Sequence, residues 1–289
     1  MKQNKILAFG EILWDVYPDD AFLGGASLNF AAHLARHGEE AYLLSAVGCD
    51  DFGVRAKEQL TLWGVHTDYV PSLCQFPTGQ AIVTLDETGT PSYRFLEDVA
   101  YEHIAIPTLP DDFRVLYFGT LALQSKSNLQ ALSALLAASP FLEIFVDVNI
   151  RPPFYSQETV TFAVSHATIL KISQEELPTV ADLLGLPPAM SYRELAHALL
   201  ARYERLRYII VTLGADGAYA LTKDQEAYCE AAPAEVASTV GAGDSFSAAF
   251  LHCHLRGDGL SAALSHATKV AAFVVSHAEA VPEYVPEFL

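Results

Sequence analysis

The chain has 289 residues, 51% apolar and 18% charged, with 17 Lys and Arg against 35 Asp and Glu for a formal charge of −18. This composition can bury a sizeable core in one large domain or two small ones and excludes a disordered chain. So acidic a chain repels nucleic acid and anionic lipid, which excludes both as partners; an anionic substrate would need a local positive patch or a helix N-terminus.

Four cysteines, Cys49, Cys74, Cys229 and Cys253, form no C-x-x-C pattern. The sequence therefore predicts neither a disulfide framework nor a zinc site, as in a reducing compartment. The first apolar run follows Lys5 and meets Glu11 too soon for a signal peptide, and no stretch approaches a membrane span. The expected location is cytoplasmic.

Short apolar runs alternate with amphipathic helices along the chain. Lys5 to Phe9 reads as a strand, Leu28 to Arg36 as a helix with Leu28, Ala31, Ala32 and Ala35 on one face, and Tyr42 to Val47 as a strand. Asp51 is expected to cap a helix that runs to Trp63 and stops at Gly64. Gln80 to Leu96 breaks the alternation as a hairpin turning through Asp86-Glu87-Thr88-Gly89, either a plain antiparallel edge pair or a lid. Val115 to Phe118, Ile144 to Val148, Ile169 to Ile172 and Tyr208 to Leu213 read as further strands with helices between them. The alternation predicts an α/β fold: a mostly parallel sheet flanked by helices on both faces.

The strongest local signal is Thr239-Val240-Gly241-Ala242-Gly243-Asp244-Ser245-Phe246, ahead of a helix with Phe246, Ala249, Phe250 and Cys253 on one face. Glycines at a helix N-terminus leave backbone N–H groups aimed at one point, a seat for phosphate or a developing oxyanion. Asp244 in the first turn would stay ionised and could accept a proton. On this pattern alone a tight strand–helix turn with an ordinary carboxylate competes. Phe246 breaks a dinucleotide fingerprint, and neither a G-x-x-x-x-G-K-[ST] loop nor H-R-D occurs, which excludes a P-loop and a protein kinase.

Other segments carry weaker signals. Gly24-Gly25 permits close backbone approach to a ligand, and Asn29 offers a donor and an acceptor. Asp147-Val148-Asn149-Ile150-Arg151 ends a buried-type strand, where open α/β sheets bind ligands, and alternation would put Asp147, Asn149 and Arg151 on one side. Ser173-x-x-Glu176 and Ser191-x-x-Glu194 are capping boxes by spacing. Thr212-Leu213-Gly214-Ala215-Asp216-Gly217 reads as a hairpin turn.

The segment from Thr239 to Phe250 resembles the C-terminal signature of the ribokinase-like (PfkB) sugar kinases. Gly24-Gly25-Ala26-Ser27-Leu28-Asn29 followed by Ala46-Val47-Gly48-Cys49-Asp50-Asp51-Phe52-Gly53 resembles their N-terminal signature. The resemblance covers nearly the whole chain in order, and it implies a single ribokinase-like domain over residues 1–289 with a small β lid from segments 12–25 and 68–104. It further implies that Asp244 is the base, with Gly241, Ala242 and Gly243 stabilising the transferring phosphoryl group. Gly10 to Asp15 is similar to the family's first strand, so that Asp15, with Gly24, Gly25 and Asn29, would hold sugar hydroxyls. Asn149 and Arg151 would face the phosphoryl group and sugar, and Arg94 of the hairpin could reach an anionic group. Lys171, Ser173, Thr212, Gly214, Gly217 and Thr268 would lie on the ATP side, with Glu176 meeting Mg²⁺ through water; Ser173 stands where the family has Asn.

Gly10 to Pro18, Asp147 to Arg151 and Lys171 to Leu177 resemble fructokinases more than ribokinases or nucleoside kinases, which points to D-fructose; ribose, 2-keto-3-deoxygluconate and other ketoses stay open. Ser238 replaces an Asp, and Glu279 a Gly, at a monovalent-cation site of many relatives, so K⁺ activation is expected to be weak or absent. A non-catalytic sugar or nucleotide binder is the alternative reading. An NAD-dependent oxidoreductase is disfavoured because the first strand lacks the glycine fingerprint. Monomer and homodimer both stay open.

Overall fold

The computed structural model describes residues 5–85, 91–187 and 189–288. Strands β1 (Lys5–Phe9), β2 (Leu13–Val16) and β3 (Ala21–Gly24) lead into α1 (Ala26–Arg36), followed by β4 (Glu40–Leu44), α2 (Asp51–Leu62) and β5 (His66–Tyr69). A hairpin, β6 (Gly79–Leu85) and β7 (Pro91–Phe95), precedes β8 (Phe113–Phe118), α3 (Lys126–Ala138), β9 (Glu143–Asp147), α4 (Gln157–His166) and β10 (Ile169–Ser173). Then come α5 (Leu177–Leu183), α6 (Tyr192–Arg202), β11 (Tyr208–Thr212), β12 (Ala218–Leu221), β13 (Glu226–Cys229), α7 (Ala242–Arg256) and α8 (Leu260–Val275).

The large sheet runs β13-β12-β11-β10-β9-β8-β1-β4-β5 and is parallel except at β12 and β13. Its central strands are apolar on both faces because both are covered. Ile6, Ala8, Val115, Tyr117, Phe145 and Ile210 pack under α1, α2, α7 and α8. Leu7, Phe9, Leu116, Phe118, Val146 and Ile172 pack against α3 to α6. Period-two alternation thus sends successive residues of one strand into two separate cores, which confirms the predicted doubly covered α/β architecture.

A second sheet, ordered β3-β2-β6-β7, stands apart; β2 pairs parallel to β6 and antiparallel to β3. The hairpin between Gln80 and Leu96 therefore forms as expected, while the turn placed at 86–89 lies outside the described residues. Trp14 fixes the sheet to the body: its Nε1–H donates to Phe52 O at 3.1 Å, and the Arg55 guanidinium lies 4.5 Å from its ring centroid.

Several expectations need correction. Asp50, not Asp51, caps α2; its Oδ1 accepts the Gly53 N–H at 2.9 Å, and its Oδ2 accepts the Thr78 N–H at 2.8 Å. The same carboxylate thus ties the helix start to the segment entering β6. Cys49 and Cys74 form a disulfide, where the sequence predicted no disulfide framework; Cys229 and Cys253 are free. Asp15 sits in β2 of the small sheet rather than on the first strand. Among the described residues no helix is long and apolar enough to cross a membrane.

Candidate active site

The C-terminal ends of the parallel strands meet the start of α7. Gly241, at φ 80°, is its N-cap, and Asp244 lies in its first turn. The left-handed backbone there is one reason for glycine; the other is space, since a Cβ would overlap the Ala280 carbonyl oxygen. The Ala242 N–H donates to Thr239 O at 3.4 Å and the Ser245 N–H to Gly241 O at 2.8 Å, which leaves the amides of Gly243 and Asp244 between them as a candidate anion seat at the helix N-terminus.

Asp244 touches the other end of the sequence. Asn29 Nδ2–H, from α1, donates to Asp244 Oδ2 at 2.8 Å. The Asn29 amide is buried, and its Oδ1 has no hydrogen-bond partner. A buried acceptor left bare costs about 1–3 kcal/mol, so this atom calls for a donor such as a ligand hydroxyl. Burial, with Asp147 adding to it, pushes the Asp244 carboxyl up to about 7; the Asn29 bond, Lys171 and Arg151 oppose the rise. A carboxylate poised near neutral pH suits a general base.

The glycine pair before α1 is held by a residue the sequence reading passed over. Glu11 is buried, and its Oε1 accepts the Ala26 N–H at 2.7 Å, capping a helix whose N-cap, Gly25, has no side chain to do so. Gly25 adopts φ 116°, and a Cβ there would come 2.6 Å from Glu11 O. Asp15 reaches the same place, since a Cβ on Gly24 would lie 3.4 Å from its Oδ2. Burial raises the carboxyls of Glu11 and Asp15 above the usual range, and the exposed Arg151 acts on both, as on Asp244, in the opposite sense. Asp15, Gly24, Gly25, Asn29, Arg151 and Asp244 are thus brought together as expected.

Arg94 is not. Register places it beside Ile82 and Val16, whereas Asp15 shares its face with Ala81, Phe95 and Phe22. Arg94 is exposed on the opposite face of the small sheet from Asp15. Phe95 on the Asp15 face instead meets Phe154 edge-on, with centroids 5.1 Å apart.

The expected one-sided row of Asp147, Asn149 and Arg151 also fails, because β9 ends at Asp147 and Asn149 takes φ 44°. Asp147 is buried and faces the Lys171 ammonium, whose Nζ donates to Oδ1 at 3.0 Å and Oδ2 at 2.8 Å. The two residues are register partners on adjacent strands. Lys171 lies directly beneath the anion seat, 3.3 Å from where a Cβ of Gly243 would stand. Its charge is thus matched by Asp147.

Ser173 and Glu176 make half a capping box. Ser173 N–H donates to Glu176 Oε2 at 2.7 Å, but α5 starts later, with Glu176 as its N-cap. Glu176 Oε1 accepts from Ile150 N–H, so the carboxylate ties the end of β9 to the end of β10. Ser191 and Glu194 form the complete box predicted for α6.

Thr212 ends β11, and its carbonyl accepts Gln174 N–H at 2.8 Å. Gly214 and Gly217 shape the turn into β12, packed against the end of β13, where Cys229 Sγ lies 3.4 Å from Thr268 Oγ1 of α8. Thr212, Gly217 and Thr268 therefore gather around one end of the sheet. Among the described residues no cluster of three or more His, Cys, Asp or Glu is placed to hold a metal ion.

Comparison with known proteins agrees with this geometry. A fructokinase from Rhizobium leguminosarum bv. trifolii is 30% identical over 268 residues, covering 85% of this chain and 78% of its own. An aminoimidazole riboside kinase from Salmonella typhimurium is 26% identical over 261 residues, covering 84% and 78%. The crystal structure of a fructokinase with bound ATP from Xylella fastidiosa superposes with a TM-score of 0.86 at 22% identity, covering 96% of this chain and 94% of that one. The sequence profile of the pfkB family carbohydrate kinases matches residues 15–286; with a span that takes in both glycine turns, Asn29 and Asp244, this chain belongs to that family.

Proposed function

We propose that the protein transfers the γ-phosphoryl group of ATP to D-fructose, giving fructose 6-phosphate. The observation that carries the reading is the Asn29–Asp244 contact, which places a near-neutral carboxylate beside a buried acceptor that lacks a donor. Similarity to fructokinases supports the choice of sugar.

Asp15, Gly25 and Asn29 hold the sugar. Asp244 takes the proton of the attacking hydroxyl; its oxygen bonds to the γ-phosphorus, the bond to the bridging oxygen breaks, and ADP leaves. The amides of Gly243 and Asp244 stabilise the transferring group, with Arg151 adding charge at the rim. Thr212, Gly214, Gly217 and Thr268 form the nucleotide side. Glu176, held by its two backbone bonds, would meet through water a Mg²⁺ ion entering with the nucleotide, which would supply neutralisation of phosphate charge. The small sheet acts as a lid of one kinase domain, closing over the sugar with Phe95 against Phe154.

K⁺ activation is weak or absent in this reading. Ser238, in the place of an Asp, spends its hydroxyl on the Val240 N–H at 3.2 Å.

The test is ADP production with ATP, Mg²⁺ and a panel of fructose, ribose, 2-keto-3-deoxygluconate and aminoimidazole riboside, in Na⁺ and in K⁺ at fixed ionic strength. Fructose should give the highest kcat/KM, and exchange of the cation should leave it unchanged. A better acceptor overturns the sugar, a several-fold K⁺ effect overturns the cation statement, and ATP binding without turnover favours a non-catalytic binder.

Gly25→Ala probes the sugar seat directly. A positive φ costs an L-residue roughly 1–3 kcal/mol, and the Cβ must displace the Glu11 backbone. The expected result is a lower Tm and a raised sugar KM with little change in the KM for ATP, read by thermal unfolding and steady-state kinetics.

A further inference from the structure

His33 lies one turn beyond Asn29 on α1, wholly buried. Its Nε2 is 3.0 Å from Ala280 O, and its Nδ1 is 2.8 Å from the Tyr284 hydroxyl. A carbonyl oxygen can only accept, so Nε2 carries the proton and Nδ1 accepts from Tyr284. Burial, aided by Arg36, holds the imidazole down to about 3, so this neutral tautomer persists across the physiological range.

The carbonyl that His33 grips is the one pressed against Gly241. Any Cβ at Gly241 would overlap it, so the position of Ala280 limits where the N-cap of α7 can sit. Residues four apart on a helix share a face, and here that face makes two bonds to the reaction apparatus. Asn29 binds the base, and His33 binds the segment that backs the anion seat. Val281 and Tyr284, which follow Ala280, are buried and leave the segment little freedom.

We propose that His33 is a positioning residue for phosphoryl transfer: through Ala280 it fixes the Gly241 end of α7 and keeps the amides of Gly243 and Asp244 aimed at the transferring group. The inference rests on the kinase reading. Donors held for a transition state lose effect steeply when displaced, with about 1 Å worth roughly 10²-fold in rate. The loss should fall on kcat, because sugar contacts at Asp15 and Gly25 are untouched.

The experiment compares His33→Phe, His33→Gln and wild type by kcat, by the KM of the accepted sugar, and by hydrogen exchange of the 239–245 amides. Phenylalanine keeps the ring and loses the donor; the glutamine amide keeps an N–H within reach of Ala280. His33→Phe should lower kcat by about 10–100-fold at nearly constant sugar KM, with faster exchange at 239–245. His33→Gln should restore most of both. Equal losses in the two variants, or an unchanged kcat in His33→Phe, overturn the proposal.

Should His33→Phe not fold, Tyr284→Phe carries the test, since it removes only the hydroxyl that donates to His33 Nδ1 and holds the ring against Ala280. A several-fold drop in kcat at constant sugar KM supports the role, and an unchanged kcat overturns it. Wild-type inactivity on every sugar would refute the kinase reading separately, and the exchange comparison would then decide on His33 alone.

Discussion

Asp244→Asn is expected to lower kcat by about 10²–10⁴-fold, the usual worth of a general base, with the KM for sugar changed little. The substitution is close to isosteric. An amide at position 244 can turn its oxygen toward Asn29 Nδ2, so the bond now made at 2.8 Å survives. What disappears is the proton acceptor. Lys171 and Arg151, which now oppose the rise in the Asp244 carboxyl, would face a neutral group. Binding of sugar should persist because Asp15, Gly25 and the free Asn29 Oδ1 are unaltered. Steady-state kinetics with the accepted sugar, paired with sugar binding by calorimetry, separate the two effects. Near-normal turnover would remove Asp244 from the mechanism.

The α/β layers were legible in the sequence for a physical reason. A strand such as Leu7-Ala8-Phe9 that is apolar at every position has to be covered on both faces, and it is. The start of α7 was legible because Gly-Ala-Gly-Asp ahead of an apolar helical stripe leaves few conformations. The resemblance put segment 12–25, with Asp15, in a lid, but a four-residue strand beside Pro18 carries too little periodicity of its own to separate it from β1. Asp50 and Asp51 are chemically equal candidates for a cap; Thr78, far along the chain, decides between them by bonding Asp50. Glu11 bonds an amide fifteen residues away, a pairing no local pattern encodes. The Cys49–Cys74 disulfide closes a 25-residue separation that no spacing motif marks. Lys171 did leave a trace: a lone Lys inside Ile-Leu-Lys-Ile demands a buried partner, and Asp147 closes an equally apolar strand.

That buried pair yields a prediction with opposite signs. Lys171 and Asp147 lie beneath Gly243, and Ser247 Oγ stands 3.2 Å from Asp147 Oδ2 and 2.9 Å from Gly243 O, linking the pair to the first turn of α7. Removing one partner of a buried ion pair costs about 3–5 kcal/mol, whereas replacing both costs far less. Each single variant should therefore unfold at a lower temperature than wild type, and the double variant Asp147→Asn/Lys171→Met should recover much of the loss.

The pH profile distinguishes the partners. Asp244 works as a base only when ionised, so kcat/KM should fall as pH drops through about 7, the value set by burial with Asp147 reinforcing it and Asn29, Lys171 and Arg151 opposing. Lys171→Met takes away a cation that favours the ionised form, so the acid limb should move to higher pH. Asp147→Asn removes an anion and leaves the Lys171 charge unmatched, so the limb should move to lower pH. In the double variant the two displacements cancel in large part. Measuring kcat/KM between pH 5 and 9 for all four proteins reads every sign at once. Limbs that shift together, or not at all, would mean that the titrating group is not Asp244, and the charge beneath the anion seat would then be structural only.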